Sequence, residues 1–304
     1  MEKEYIESGV YGLVVGDALG VPFEFSSFEE LEKNPVRDMV GYGTWNQPKG
    51  TWSDDSSLVL ATMGGIIRGN GEINLDTIMK EFVKWVAYGE YSQNKGIEPF
   101  DYGNTTIAGI TNYLQGVSPE NSGLSGEFDN GNGGLMRILP LAFTDCDYPV
   151  IESVCGLTHA HPRSKIASVL YVEICRQIMG GGKDTFCDYV AEASDLIQEY
   201  YKDVPDLIYF QRIFDSDYSD GISGSAHVSD TLESAIASIK YGEDFKSSLL
   251  GAVNLGGDTD TICAVCGGMA GLYYGLSDIP EDWINSIYKR EIIDDLIDDF
   301  SRVI

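Results

Sequence analysis

Apolar residues recur along this chain at the three- and four-residue steps of amphipathic helices. Leu58, Met63, Ile66 and Ile67 form one stripe, and Ile73, Ile78, Phe82, Trp85 and Val86 a second. Ile166, Val169, Leu170, Val172 and Ile174 form a third, and Leu232, Ile236 and Ile239 a fourth. A fifth stretch, Trp283 to Ile297, sets Asp294, Asp295, Asp298 and Asp299 opposite its apolar side. Start signals agree: Asn74 before Leu75, Ser229-Asp230 before Thr231, and Pro280-Glu281-Asp282 before Trp283. Each puts a hydrogen-bond acceptor or a proline where a helix has free N–H groups. The alternation of half-buried strands is scarce, so the spacing predicts an all-α fold.

Glycines interrupt this pattern in clusters, at 41–43, 64–65, 131–134, 180–182, 256–257 and 267–268. In or beside a helix a glycine costs about 1 kcal/mol against alanine, so these predict close backbone approach or special loops. The least patterned stretch, about 203–229, collects Asp, Ser and Gly and reads as a surface excursion. Apolar spacing resumes at Thr231, and no hinge or repeat divides the chain, so residues 1–304 are expected to form a single compact domain.

Charge changes the picture more than length does. Twenty Lys and Arg face 48 Asp and Glu, a net charge of −28 over 304 residues. Such a surface repels phosphate backbones, which excludes a basic nucleic-acid face. It also makes a phosphate ligand awkward unless cations or backbone N–H groups are supplied locally. Six cysteines are too few for a disulfide scaffold at this length. The polar start of the chain lacks the apolar run of a secretion signal, and the glycine-broken run Ile262–Leu276 is shorter than the roughly 20 residues of a spanning helix. A cytoplasmic protein with reduced thiols and no membrane partner is expected; oligomeric state is not legible.

Two acidic segments carry candidate chemistry. Gly50-Thr51-Trp52-Ser53-Asp54-Asp55-Ser56 precedes a helix, and Asn254-Leu255-Gly256-Gly257-Asp258-Thr259-Asp260-Thr261 opens the glycine-rich apolar one. One Asp or Ser at such a place is an ordinary cap. Paired carboxylates with a hydroxyl are hard oxygen ligands of the kind Mg²⁺ or Mn²⁺ takes. If the segments face each other, four carboxylates converge around two divalent cations about 3.5–4 Å apart. Asp17, in a small-residue helix, reads as a buried polar anchor, and Glu24 lies within reach of a pocket. The loop Asn130-Gly131-Asn132-Gly133-Gly134, leading into a helix, can present N–H groups to a diphosphate, though it matches neither the P-loop nor the dinucleotide fingerprint. His159 and His161 have the wrong spacing for a zinc pair, Cys263 and Cys266 read as tight helix packing, and no GxSxG elbow is present.

Taken together, these pieces resemble the ADP-ribosylglycohydrolase family, which includes dinitrogenase-reductase-activating glycohydrolases and ADP-ribosyl-acceptor hydrolases. The matching segments are GLVVGDALGVPFEF (12–25), GTWSDDSSLVL (50–60), FDYGNTT (100–106), NGNGGLMRILPLA (130–142), THAHP (158–162), SDTLESAIASI (229–239) and AVNLGGDTDTICAVCGGMAGLYYG (252–275). Only about 203–225 falls outside the pattern. The resemblance implies a compact helical domain with a dinuclear Mg²⁺ or Mn²⁺ centre, held by Ser53, Asp54, Asp55, Asp258, Asp260 and Thr261. It implies that Glu24 lies near the metals, that Asn130, Gly131, Asn132, Gly133 and Gly134 hold the diphosphate of ADP-ribose with Gly103 alongside, and that His159 lines the site.

That chemistry suits the residues. Cleaving a ribosyl C1–N bond passes through an oxocarbenium-like state, which negative charge stabilises, and Asp55 is placed to act as general base. In arginine-cleaving members of the family, a D-x-G-x-T motif supplies a carboxylate near the guanidinium, and Asp101 stands there. The expectation is therefore a hydrolase that frees ADP-ribose from mono-ADP-ribosylated arginine in a protein. The alternatives are hydrolysis of serine-linked or other O-linked ADP-ribose, including O-acetyl-ADP-ribose, and a non-catalytic ADP-ribose-binding protein.

Overall fold

The computed structural model describes residues 2–93 and 99–304. Fifteen α-helices are formed among them, and no sheet, only three isolated bridges. In chain order they are α1 (Lys3–Gly20), α2 (Phe28–Lys33), α3 (Asp54–Arg68), α4 (Leu75–Tyr88), α5 (Asn104–Leu114), α6 (Pro119–Ser122), α7 (Tyr148–Cys155) and α8 (Pro162–Gly180). There follow α9 (Phe186–Tyr200), α10 (Gln211–Phe214), α11 (Val228–Tyr241), α12 (Phe245–Val253), α13 (Thr259–Tyr274), α14 (Glu281–Ser286) and α15 (Glu291–Ser301). One contiguous hydrophobic core runs through nearly all of them. No helix among the described residues is long and apolar enough to cross a membrane.

The axis of the fold is α1 lying antiparallel against α13, and glycine sets the distance between them. A Cβ on Gly12 would stand 2.2 Å from the Gly267 carbonyl oxygen, one on Gly16 2.0 Å from that of Cys263, and one on Gly20 2.4 Å from the Asp260 Cα. From the other side, a Cβ on Gly271 would meet the Ser8 carbonyl oxygen at 2.1 Å. These contacts are shorter than any side chain tolerates, so the two backbones touch and dispersion is gained along the whole crossing. Cys263 and Cys266, on α13, are buried free thiols, the Cys263 Sγ facing the Leu249 carbonyl of α12, the packing role their spacing suggested. The crossing brings Asp17, near the end of α1, beside the start of α13. Helices α3, α8, α11 and α12 pack around α13.

Helix starts largely follow the sequence signals. Asn74 accepts from the Thr77 amide and caps α4, and α14 begins directly after Pro280. Helix α11 starts at Val228, slightly ahead of the Ser229-Asp230 signal. Two expectations are corrected. The stretch from Trp283 to Ile297 is not one helix but α14 and α15, broken around Lys289, whose φ is 54°. Stretch 203–229 is also more than a surface excursion: Phe210, Ile213 and Tyr218 are buried in the core, and its end folds back over the helix starts described next.

Candidate active site

Both acidic segments sit at helix N-termini. Ser53 caps α3, its Oγ accepting from the Asp55 amide at 3.2 Å, and Asp258 occupies the cap position of α13. Asp17 joins them from α1. Its Oδ1 accepts from the Ser53 amide at 2.9 Å, and its Oδ2 from the Ser56 amide at 3.0 Å and the Ser56 hydroxyl at 2.5 Å. Asp17 is thus the buried polar anchor expected of it, and it fixes how α3 begins. Across the gap, Thr261 Oγ1 donates to Asp55 Oδ2 at 3.3 Å, while Ser53 Oγ donates to the same oxygen at 2.9 Å. Thr259 Oγ1 donates to the Gly20 carbonyl at 2.8 Å and ties α13 to the end of α1.

Segments about 200 residues apart therefore meet. Carboxylate oxygens of Asp17, Asp55 and Asp260 lie within 4.8 Å of one another, as do those of Glu24, Asp258 and Asp260. Asp260 belongs to both groups, so the two clusters adjoin. Burial raises the proton affinity of these acids, and their neighbours raise it further. Asp54, Asp55 and Asp260 are held well above the usual carboxylate range, first by burial and then by the charge of Asp101 and Asp258, with Asp17 adding to Asp54 and Asp55. Glu24 is pushed up to about 8 by burial and by Asp101 beside it, and Asp17 to about 7 by burial, against the hydrogen bonds it accepts from Ser56 and Ser53.

The donor set fits a hard divalent cation. Asp55 Oδ1 and both oxygens of Asp260 are buried with no hydrogen-bond partner among the described residues. Unsatisfied buried carboxylate oxygens are costly and call for a counter-charge. The oxygens gathered here, with the Ser53 and Thr261 hydroxyls beside them, match what Mg²⁺ and Mn²⁺ take and include no thiol or imidazole.

Above this floor opens a cleft of about 520 Å³, a size typical of small-ligand sites. Of the residues singled out in the sequence, Glu24, Asp54, Asp101, Gly103, Gly131, Asn132, Gly133, His159, Asp258 and Thr261 line it. Asp55 and Asp260 lie beneath, and Ser53 lies behind Asp55. Asn130 and Gly134 are not part of the lining. The Asn130 side chain turns away to donate to the Glu127 carbonyl at 2.6 Å, and Gly134 packs where a Cβ would be 2.6 Å from Cys155 Sγ. The glycine loop continues not into an α-helix but into two short 3-10 turns, Asn132–Gly134 and Leu139–Phe143. Asn132 reaches across it, its Nδ2 donating to Asp258 Oδ2 at 2.7 Å and to Thr231 Oγ1 at 3.0 Å.

His159 is buried and stays neutral, its pKa lowered to about 3 by burial and by nearby Arg137. Its Nδ1 lies 2.8 Å from Thr158 Oγ1, which accepts from Arg137 Nη2 at 2.9 Å. This network assigns the ring proton to Nε2. His161 has a different task, capping α8 by accepting from the Arg163 amide at 3.2 Å.

Three features escaped the sequence reading. Arg137 is fully buried behind the glycine loop, donating to the Gly133, Val154 and Cys155 carbonyls, each at 3.2 Å. It places a positive charge where backbone N–H groups alone were expected; its one signal was a lone arginine in an apolar run. Gly224, Ser225 and Ala226 form a cleft wall, because the Asp258 amide donates to the Gly224 carbonyl at 2.8 Å and the Asn132 amide to the Ala226 carbonyl at 3.2 Å. Phe25 and Tyr102 line the mouth beside Glu24 and Asp101, a placement without a local signal.

Comparison with known proteins places the whole chain in one family. The family model described as ADP-ribosylglycohydrolase matches residues 3–304. The chain is 31% identical over 294 residues to an ADP-ribosyl-[dinitrogen reductase] glycohydrolase of Rhodospirillum rubrum, covering 92% of this chain and 90% of that one. It is 28% identical over 299 residues to ADP-ribosylarginine hydrolase Tri1 of Serratia proteamaculans, covering 95% and 77%. A solved structure titled "ADP-ribosylglycohydrolase-related protein complex" superposes with a TM-score of 0.80 at 25% identity, covering 99% of this chain and 98% of that one.

Proposed function

The chain belongs to the ADP-ribosylglycohydrolase family, and from that premise we propose that it hydrolyses the N-glycosidic bond of mono-ADP-ribosylated arginine in protein, releasing ADP-ribose. The observation that carries this reading is the pair of adjoining carboxylate clusters beneath a cleft that Asp101 and Glu24 also border. Relatives of two kinds support the acceptor: one is named an ADP-ribosylarginine hydrolase and another acts on an ADP-ribosylated protein, dinitrogen reductase.

One or two divalent cations held by Asp54, Asp55, Asp258, Asp260, Ser53 and Thr261 would supply Lewis acidity and a fixed orientation for ribose hydroxyls. The remaining work falls to the chain. The turn at Gly131–Gly133, with Gly103 facing it, admits the diphosphate close to backbone, and buried Arg137 offsets its charge from behind. His159 offers its Nε2 proton as a donor into the cleft. Asp55, whose Oδ1 has no hydrogen-bond partner among the described residues, is the carboxylate that accepts a proton from the attacking water. The carboxylates around the ribose stabilise the oxocarbenium-like state. Asp101 and Glu24 face the leaving guanidinium, a group that pairs strongly with carboxylates.

A release assay on arginine-, serine- and polymer-linked ADP-ribose, with Mg²⁺ or Mn²⁺ supplied, tests the reading. Release from arginine is expected, and Asp101→Ala should reduce it by about 100-fold, the scale of a lost charge-assisted contact in the transition state. Release from serine-linked substrate alone, or an unchanged rate in the Asp101 variant, would discard the arginine preference. ADP-ribose binding by calorimetry without release from any substrate would point to a binding protein instead.

A further inference from the structure

One wall of the cleft carries aromatic surface that neither the carboxylate clusters nor the glycine turn requires. Phe25 is 69% exposed, yet it lines the cleft next to Glu24. Trp45 lies behind it with ring centroids 6.4 Å apart and planes at 58°, and Phe100 continues the row at 5.5 Å and 46°. We infer that Phe25, backed by Trp45 and Phe100, forms an acceptor subsite, which takes the guanidinium and alkyl chain of the ADP-ribosylated arginine between the Phe25 face and the carboxylates of Glu24 and Asp101. This rests on the arginine reading above and deepens it by naming what recognises the acceptor side chain.

The row is built, not incidental. Phe25 holds a left-handed φ of 65°, which a bulky residue adopts at a cost. The turn is pinned there by the Phe25 amide donating to the Gly257 carbonyl at 2.7 Å and the Gly257 amide donating to the Ser26 carbonyl at 2.8 Å. The Trp45 loop is fixed equally closely: a Cβ on Gly43 would stand 2.0 Å from the Pro22 carbonyl oxygen, and Thr44 Oγ1 donates to the Glu24 carbonyl at 2.7 Å. Trp45 Nε1 donates to the Glu24 carboxylate itself. Phe25, Trp45 and the Glu24 carboxylate are therefore held together, on the same glycine turn that opens α13.

Charge complementarity names the occupant. A guanidinium is planar, delocalised and weakly hydrated, so it stacks on aromatic faces and pairs with carboxylates at once. Phe25 offers the face, Glu24 and Asp101 the carboxyl oxygens that pair with the cation, and a chain of net charge −28 draws a cationic side chain towards them. A serine-linked acceptor has neither the cation nor the plane and an acetyl ester lacks the cation, so neither gains the cation–π contact this wall offers.

The test uses the full chain with Mg²⁺ or Mn²⁺, as wild type, Phe25→Ala and Phe25→Tyr. Phe25→Ala should raise KM for ADP-ribosyl-arginine about tenfold, the worth of one desolvated cation–π contact. It should leave the affinity for ADP-ribose within about twofold, and Phe25→Tyr should restore KM. Agmatine, titrated calorimetrically into the ADP-ribose-loaded protein, should bind wild type and Phe25→Tyr more tightly than Phe25→Ala. Equal agmatine binding in all three proteins, or a Phe25→Ala variant whose KM is unchanged or whose ADP-ribose affinity falls in step, would overturn the subsite. Agmatine binding that depends on Phe25 in a protein unable to turn over arginine substrates would support the subsite while removing the functional reading.

Discussion

Asp260 shows at a single position how this protein holds more charge than its fold wants. Both its oxygens are buried with no hydrogen-bond partner among the described residues, and its proton affinity is raised by burial, Asp101 and Asp258. A carboxylate kept this way is a poor structural residue and a good ligand. Asp260→Asn should therefore raise the melting temperature in EDTA, because a like charge leaves the cluster, while ADP-ribose release falls by about 100-fold or more through loss of metal affinity. Scanning calorimetry in EDTA beside a release assay checks this; a variant that melts lower without metal would show that the carboxylate already has a structural partner. Adjacent acids such as Asp54-Asp55 and the Asp258–Asp260 pair are conspicuous in sequence because one cap needs only one of them. Phe25 and Arg137 are not, since an exposed phenylalanine and a buried arginine follow no local rule.

The α1–α13 crossing sets the site at the level of elements. Gly16 lies where a Cβ would be 2.0 Å from the Cys263 carbonyl oxygen. Gly16→Ala must push the helices apart and carry Asp17 away from Asp260, so a loss of about 3 kcal/mol or more in stability is expected, with metal binding lost in parallel. Gly180, at the end of α8, meets nothing within 4 Å and has an ordinary φ. Gly180→Ala should be neutral or stabilise by up to about 1 kcal/mol. Urea unfolding of the two variants makes the comparison, and equal effects would deny the crossing its role. Helices were legible because their periodicity is local. The break between α14 and α15 was not, because it is imposed from afar: the Tyr288 amide donates to the Gly50 carbonyl at 3.0 Å, and a Cβ on Gly50 would sit 1.8 Å from the Ser286 carbonyl oxygen.

Across the whole molecule, net charge and buried acids together govern stability. Carboxylates whose folded pKa is raised favour the native state most when pH is below the ordinary carboxylate value near 4, and that contribution is lost as pH climbs to the folded value. With Glu24 at about 8 and Asp17 at about 7, the metal-free protein should lose melting temperature steadily between about pH 4 and pH 8. Added Mg²⁺ or Mn²⁺ should oppose this, with a stabilisation that grows towards pH 8 as the ligands ionise. Thermal scans at several pH values, with and without EDTA, would contradict this if the metal-free protein melted highest at pH 8.

The sequence by itself determined α3, α4, α8 and α11, the starts of α4 and α14, the acidic segments and the kinship those segments declare, because each depends on neighbours a few positions apart. Only the tertiary structure decided that Asp17, Asp55 and Asp260 share one floor, that Asn130 and Gly134 turn away from the cleft, and that 224–226 returns to wall it. Those outcomes depend on how closely backbones separated by about 200 residues can approach, a distance that glycine packing at α1 and α13 sets and that no local pattern encodes.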